Sequence, residues 1–431
     1  MQSTVNKKHF IFRYGYLLLS LLFFALLTIY YFTQDPITFN NGEGFDGVKY
    51  VDMVEQLRAG TPISGPAPFV YRLATPYLTS LLPFTILQSY FILNSFFALI
   101  SGLLLFYWLK KTLMHPGLSL AFVVYLFLHW QASLRFTVFY PADCDPLAII
   151  FVMLGLILMQ KLNKKFSWKR LSLLAVLVFI GVFQREFILS LAFGIPFLGA
   201  CFGYNNGNIT IKKALFRRNI KAALLVFCLG LLGIWLTHIL VNTVENGYGF
   251  LHAIYRWMHQ KSIFQLLTGF FYTLGIPLIF PFLFYRSFFR VFKENRYLLP
   301  IFAIALILSW IGGGDTERFI LWYCPIYFLI IGQVFYDHKA YFLRKRIFIP
   351  LFLSLILTLR VFWEIPQYYL EDEGVSFPFF AVFGTDNFSD ILATHARKWV
   401  TTANLILYLL LSIYFVYWRY ENRIRNLIRW D

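Results

Sequence analysis

Residues 77–109 read YLTSLLPFTILQSYFILNSFFALISGLLLFYWL, without a charged side chain until Lys110 and Lys111 close the run. A helix needs about 20 apolar residues to cross a hydrocarbon core of about 30 Å. This run is longer than that, and Pro83 sits where it can bend or break it. Working outward, apolar runs recur at 14–33, 117–134, 146–160, 170–184, 187–203, 221–241, 265–285, 297–311, 319–336, 347–363 and 401–418. That makes about twelve candidate transmembrane helices. The composition agrees. Of 431 residues, 59% are hydrophobic, 21% aromatic and 14% charged. Soluble domains run about 45–50% apolar and about 25% charged. A soluble enzyme and a disordered chain are both excluded. Four Cys make neither a disulfide framework nor a Cys-rich metal scaffold. The expected fold is an all-α polytopic membrane protein, a single transmembrane domain over 1–431, with no internal repeat.

Charge orients it. The first run follows Lys7, Lys8 and Arg13 and lacks a small-residue cleavage site, so it reads as a retained anchor with a cytoplasmic N-terminus. Alternating from there puts most of the 38 basic residues inside, while only Glu294, Asp337, Glu421 and Asp431 of the 21 acidic residues join them. Such a bias is the positive-inside pattern. It accounts for the net charge of +17 without a nucleic-acid partner. The longer loops, 34–76, 242–264 and 364–400, fall outside, toward periplasm, exterior or lumen. Irregular polar backbone at membrane depth belongs where chemistry is done.

The first outer loop, 34–76, carries the richest pattern. Phe39-Asn40-Asn41-Gly42-Glu43-Gly44-Phe45-Asp46-Gly47 is a glycine-rich turn. Tyr50, Val51, Val54 and Leu57 then recur at helical spacing, with Lys49, Asp52, Glu55 and Arg58 on the other faces. This predicts a short amphipathic helix lying on the membrane surface. Asp46 reads either as its N-cap or as a carboxylate held rigidly at that surface. After prolines 66 and 68, Arg72 lies just before the second span. It is either an interfacial Arg reaching headgroups or a phosphate clamp.

Other outer turns repeat the theme. Arg135 begins the segment that runs to Asp143-Cys144-Asp145-Pro146. Asp145-Pro146 suits a helix start, which leaves Asp143 unexplained, and the two carboxylates are candidate ligands for a divalent cation such as Mg or Mn. Gln184-Arg185-Glu186 puts charges between two apolar runs with almost no loop, so Arg185 and Glu186 are expected to line a cavity. Gly312-Gly313-Gly314-Asp315-Thr316-Glu317-Arg318 joins two spans. Asp315 or Thr316 can cap the later helix, but Arg318 in its first turn opposes the helix dipole, which calls for an anionic partner. Together Arg72, Arg135, Arg185 and Arg318, as binders of phosphate, beside Asp46, Asp143, Asp145, Glu186, Asp315 and Glu317 are the parts for group transfer from a phosphate leaving group.

These features resemble the GT-C superfamily of membrane glycosyltransferases, bacterial mannosyltransferase-like members above all. The resemblance rests on Asp46-Gly47 with Tyr50, Tyr71-Arg72-Leu73 with Pro76, Asp145-Pro146, Arg185-Glu186 and Glu317-Arg318-Phe319. It implies inverting sugar transfer from a polyprenyl-phosphate carrier to an acceptor glycan, lipid or protein on the outer face of a bacterial inner membrane. It makes Asp46 the base or metal ligand. Family members often show adjacent acids there, whereas Glu43 and Asp46 are separated. The large soluble domain of some members is absent. Two other classes compete. A multi-span transporter or flippase would show repeats and broken helices with midplane polar groups, and apart from His238 the spans are nearly free of ionisable residues. An O-antigen polymerase or ligase would show one dominant outer loop. On the first reading, Arg318→Ala weakens carrier binding more than Arg256→Ala does in the loop 242–264.

Overall fold

The computed structural model describes residues 2–113, 115–199, 202–205, 208–244, 249–361, 363–368 and 387–428. It is about 79% helical, with almost no strand. Among the described residues, six helices are long and apolar enough to cross a membrane: α1 (Gln2–Thr33), α4 (Ile86–Leu113), α5 with α6 (Pro116–Leu128, Ser133–Phe139), α7 (Asp145–Lys164), α9 (Lys213–Leu240) and α19 (Lys398–Ile428). Two bent pairs raise the number to as many as eight. Ile263–Leu274 (α11) and Ile276–Leu283 meet at 113°, and α15 (Thr316–Trp322) and α16 (Cys324–Asp337) at 72°. These helices fit an integral membrane protein.

The expected runs at 170–184, 187–203, 297–311 and 347–363 form shorter helices. They are α8 (Trp168–Gly181), a 3-10 helix Glu186–Phe197, α14 (Leu298–Ile311) and α18 (Lys345–Leu359). At 1.5 Å per residue, the 14 residues of α14 reach about 21 Å, short of the core thickness. The run at 77–109 is broken around Pro83, as its sequence suggests, into α3 (Ala74–Ser80) and α4. The α11 break falls at Gly275, whose φ of +63° favours glycine and is followed by Pro277.

Burial sorts the helices. In α7, 72% of the apolar window lies inside the protein, against 22% in α1 and α9. So α7 is central, packed on α4 and α8, while α1 and α9 face outward. The core includes Trp108, Phe106 and Phe127, all nearly inaccessible. Between apolar helices in lipid, such close van der Waals packing is the main cohesive term.

The first loop folds as its periodicity predicts, with one change. α2 (Gly47–Ala59) ends at Gly60 in the left-handed region. Its apolar face, Tyr50, Val51, Met53 and Val54, packs with Val70, Leu73, Tyr90 and Cys144. That face is covered by protein rather than laid on a membrane surface. β1 (Ser64–Pro66) pairs in parallel with β4 (Asn242–Val244), and the Tyr71 and His238 rings lie 4.0 Å apart. Separately, β2 (Phe202–Asn205) and β3 (Asn208–Ile211) pair antiparallel. The last loop is tied to the first. Ile365 N–H donates to Gln34 Oε1 (2.7 Å), and Thr38 N–H donates to Gln367 Oε1 (2.9 Å). Within 364–400, residues 369–386 lie outside the described residues.

Candidate functional site

Arg318 sits in the first turn of α15, where the dipole disfavours a cation. The structure supplies the anions. Arg318 Nη2 donates to Asp143 Oδ1 (3.0 Å), Nη1 to Asp46 Oδ2 and Asp315 Oδ2 (3.4 Å each), and Nε to Asp145 Oδ2. Arg185 donates to the other Asp145 oxygen, and its guanidinium lies 5.0 Å over the Trp322 ring. Four carboxylates from three turns thus meet one guanidinium. The aspartates expected as helix caps do not cap with their side chains. Asp46 and Asp315 occupy cap positions, but neither side chain makes a capping bond. Asp145 is already helical, after the cap residue Cys144.

The socket is graded in exposure. Asp143 and Asp145 side chains are 6% and 10% exposed, while Asp46 and Asp315 are 28% and 31%. Burial and the neighbouring Asp145 push the Asp143 carboxyl up, against the pull of Arg318. Burial also raises Asp315, but the hydrogen bond from His395 and the Arg318 charge outweigh it and hold Asp315 at about 2. His395 lies 3.4 Å from Asp315 and is raised in turn, first by that bond.

Local contacts place Asp46. Gly47 N–H donates to Tyr140 Oη at 2.6 Å, which fixes the start of α2. Gly44 has φ +72°, and a Cβ there would run into the Tyr140 ring. Gln184 joins three segments: it accepts from Thr75 N–H (3.0 Å) and Thr75 Oγ1 (2.9 Å), and donates to the Cys144 carbonyl.

These groups open onto a cavity of about 990 Å³, lined by Asp46, Arg72, Asp143, Asp145, Arg185, Asp315 and Arg318 together with aromatic rings. Arg72 differs from the other two expected arginines. It donates to Tyr50 Oη and lies 5.2 Å over Phe69, and no carboxylate is within salt-bridge reach among the described residues. Tyr140, His252, Arg256 and His395 also line the cavity. Arg256 is therefore part of the cleft and not the remote comparison expected for Arg318. His395 had no spacing signal, because its partner Asp315 lies far away in sequence. Gln184 did have one, in the polar Gln-Arg-Glu break between apolar runs.

Other expected site residues lie outside the cavity lining. Glu43 lies near Asp52 and Glu55, whose charges add to burial in raising it. Arg135 donates to the carbonyls of Arg360 (2.8 Å), Leu359 (3.4 Å) and Trp363, closing the C-terminus of α18. Glu186 starts the 3-10 helix and acts on Arg72 only through its charge. Glu317 is fully buried and accepts from Ala393 N–H at 2.8 Å, fastening the last loop. Nearby, Lys261 donates to Ser309 O (3.1 Å), and burial pushes it down to about 8.

Asp143 and Asp145 do not fit a metal as arranged. Both Asp145 oxygens are taken by Arg185 and Arg318, and Asp143 Oδ1 accepts from Arg318 and from Cys144 N–H. Among the described residues, no three or more His, Cys, Asp or Glu are grouped to hold a metal ion. Comparison with protein families and with curated proteins finds no match to this chain.

Proposed function

We propose that this cleft transfers a sugar from a polyprenyl-phosphate carrier to an acceptor hydroxyl on the outer face of the membrane. The carrying observation is the gathering of Asp46, four arginines (Arg72, Arg185, Arg256 and Arg318) and aromatic rings around one cavity of about 990 Å³. The sequence resemblance to GT-C glycosyltransferases supports the same reading. In it the chain makes about twelve crossings, counting the four shorter helices, in a bacterial inner membrane.

Asp46 is the base. Its carboxylate is among the more open of the four and faces the cavity. It takes the proton of the acceptor hydroxyl as that oxygen attacks the anomeric carbon from the side opposite the carrier. The bond from anomeric carbon to phosphate oxygen breaks, and its electron pair leaves with the polyprenyl phosphate. The anomeric centre inverts. Arg72 is the phosphate cation, because Arg185 and Arg318 are already committed to carboxylates. Its charge meets the one that grows on the leaving phosphate.

The test is Asp46→Asn in the full-length protein, reconstituted with polyprenyl-phosphate sugars and a panel of acceptors. Transfer should fall by about a thousandfold or more, within the range a positioned general base supplies, while the unfolding temperature holds. Transfer at the native rate would reduce Asp46 to a structural residue.

The two bent helix pairs favour a second reading, a transporter or flippase, since broken spans are common there. Its charges, however, would belong at mid-membrane, and here they gather at helix ends. Movement of a lipid-linked sugar across vesicles with no change in its glycosidic bond would select that reading.

A further inference from the structure

We propose that Arg318 is the resident cation of a four-aspartate socket, standing where a divalent metal would otherwise stand, so that the native socket holds no such ion. Asp46, the Asp143–Asp145 pair and Asp315 come from three turns, the first two far from Arg318 in the chain, yet each of the four carboxylates gives an oxygen to one guanidinium. Carboxylates from separate segments around one point are what a hard cation needs. Here the chain's own side chain fills that point.

The guanidinium is held in place by its backbone. Thr316 Oγ1 donates to Ser309 O (3.2 Å), and Glu317 accepts from Ala393 N–H, so the first turn of α15 is pinned on both sides of the cation. A Cβ on Gly269 would come within 2.9 Å of Thr316, so α11 approaches this turn closely. Arg318 is not a flexible surface arginine that a metal would displace at little cost.

Charge balance governs the effect of removing it. Four carboxylates face two guanidinium groups, Arg185 and Arg318. Without Arg318 all four carboxylates lose a partner; Asp145 keeps Arg185 and Asp315 keeps His395, so Asp46 and Asp143 are left without a cation, and unpaired charges in a largely buried socket are costly. They can take up protons, or a divalent ion can replace the lost cation with two charges. The emptied socket becomes a metal site with Asp143, Asp145 and Asp46 as ligands.

The experiment uses the full-length protein in detergent and does not depend on the transferase reading. Manganese(II) binding is followed by the loss of its free-ion electron-spin signal, and thermal unfolding is run with manganese or with chelator. The native protein should show no saturable manganese binding, and its melting should be indifferent to both additions. Arg318→Ala should melt lower, bind one manganese per chain and recover part of its melting temperature with it. Adding Asp145→Asn should abolish that recovery. Arg318→Lys keeps a cation and should stay indifferent to manganese. The proposal is overturned if the native chain binds one manganese that Asp145→Asn removes, or if folded Arg318→Ala ignores the ion. If Arg318→Ala does not fold, the native and lysine titrations still decide.

Discussion

Arg135 and Arg318 have the same sequence credentials: each is a guanidinium near the end of an apolar run. The structure gives them opposite company. Arg318 meets four carboxylates at a cavity wall, whereas Arg135 is 3% exposed and meets three backbone carbonyls. One gathers charges that can act on a ligand. The other satisfies the open end of α18, whose last carbonyls have no helical partner. An interfacial arginine is thus defined by what it donates to, and only the fold supplies that.

The comparison is best broken by measurement. Arg135→Ala should lower stability most, by about 3 kcal/mol, because several buried carbonyls lose a charged donor. Reversible unfolding in mixed micelles reads this. A ligand-affinity loss larger than the stability loss would erase the distinction between the two arginines. Arg72→Ala should do the reverse. Binding of polyprenyl phosphate should weaken about tenfold, or about 1.4 kcal/mol, with unfolding nearly unchanged; a large unfolding shift would make Arg72 a second Arg135.

The smallest effect concerns pH. Asp315 raises His395 above the usual imidazole range, so the pair's stability is full below about pH 6.5 and fades as pH rises through that raised value. Asp315 acts at the other end, its contribution being lost only as pH falls through about 2. Native melting temperature should therefore slope downward on the alkaline side, and His395→Gln should flatten the slope. An unchanged slope would remove the last loop from the socket.

Legibility in the sequence tracks locality. The break at Pro83 and the amphipathic α2 are local events, written in adjacent residues. The dipole argument at Arg318 correctly demanded an anion, because a helix's first turn is local too. The anion turned out to be the protein's own aspartates, from turns as far as 272 residues away. Asp46 does not cap α2 for the same reason: a distant guanidinium holds its carboxylate, whereas Asp315 is drawn off its cap by Arg318 three residues on and by His395 of the last loop. Glu317 and Arg135 were misassigned because burial against Ala393 and against the end of α18 leaves no trace in their neighbours. The bends at Gly275 and Tyr323 fall inside runs that stay apolar throughout, so hydropathy alone does not mark them.

The socket's spread along the chain sets an order of assembly. Chains are made at about 5–20 residues per second, so Asp46 leaves the ribosome on the order of ten seconds to a minute before Arg318. Asp145 finds Arg185 only 40 residues later, which gives the growing chain an early pair. Asp46 and Asp143 wait for Arg318, at the head of the tenth hydrophobic run, to be synthesised. The cleft is thus among the last parts of the molecule to be completed, and a ribosome stalled before that run would leave its acids without their central counter-charge.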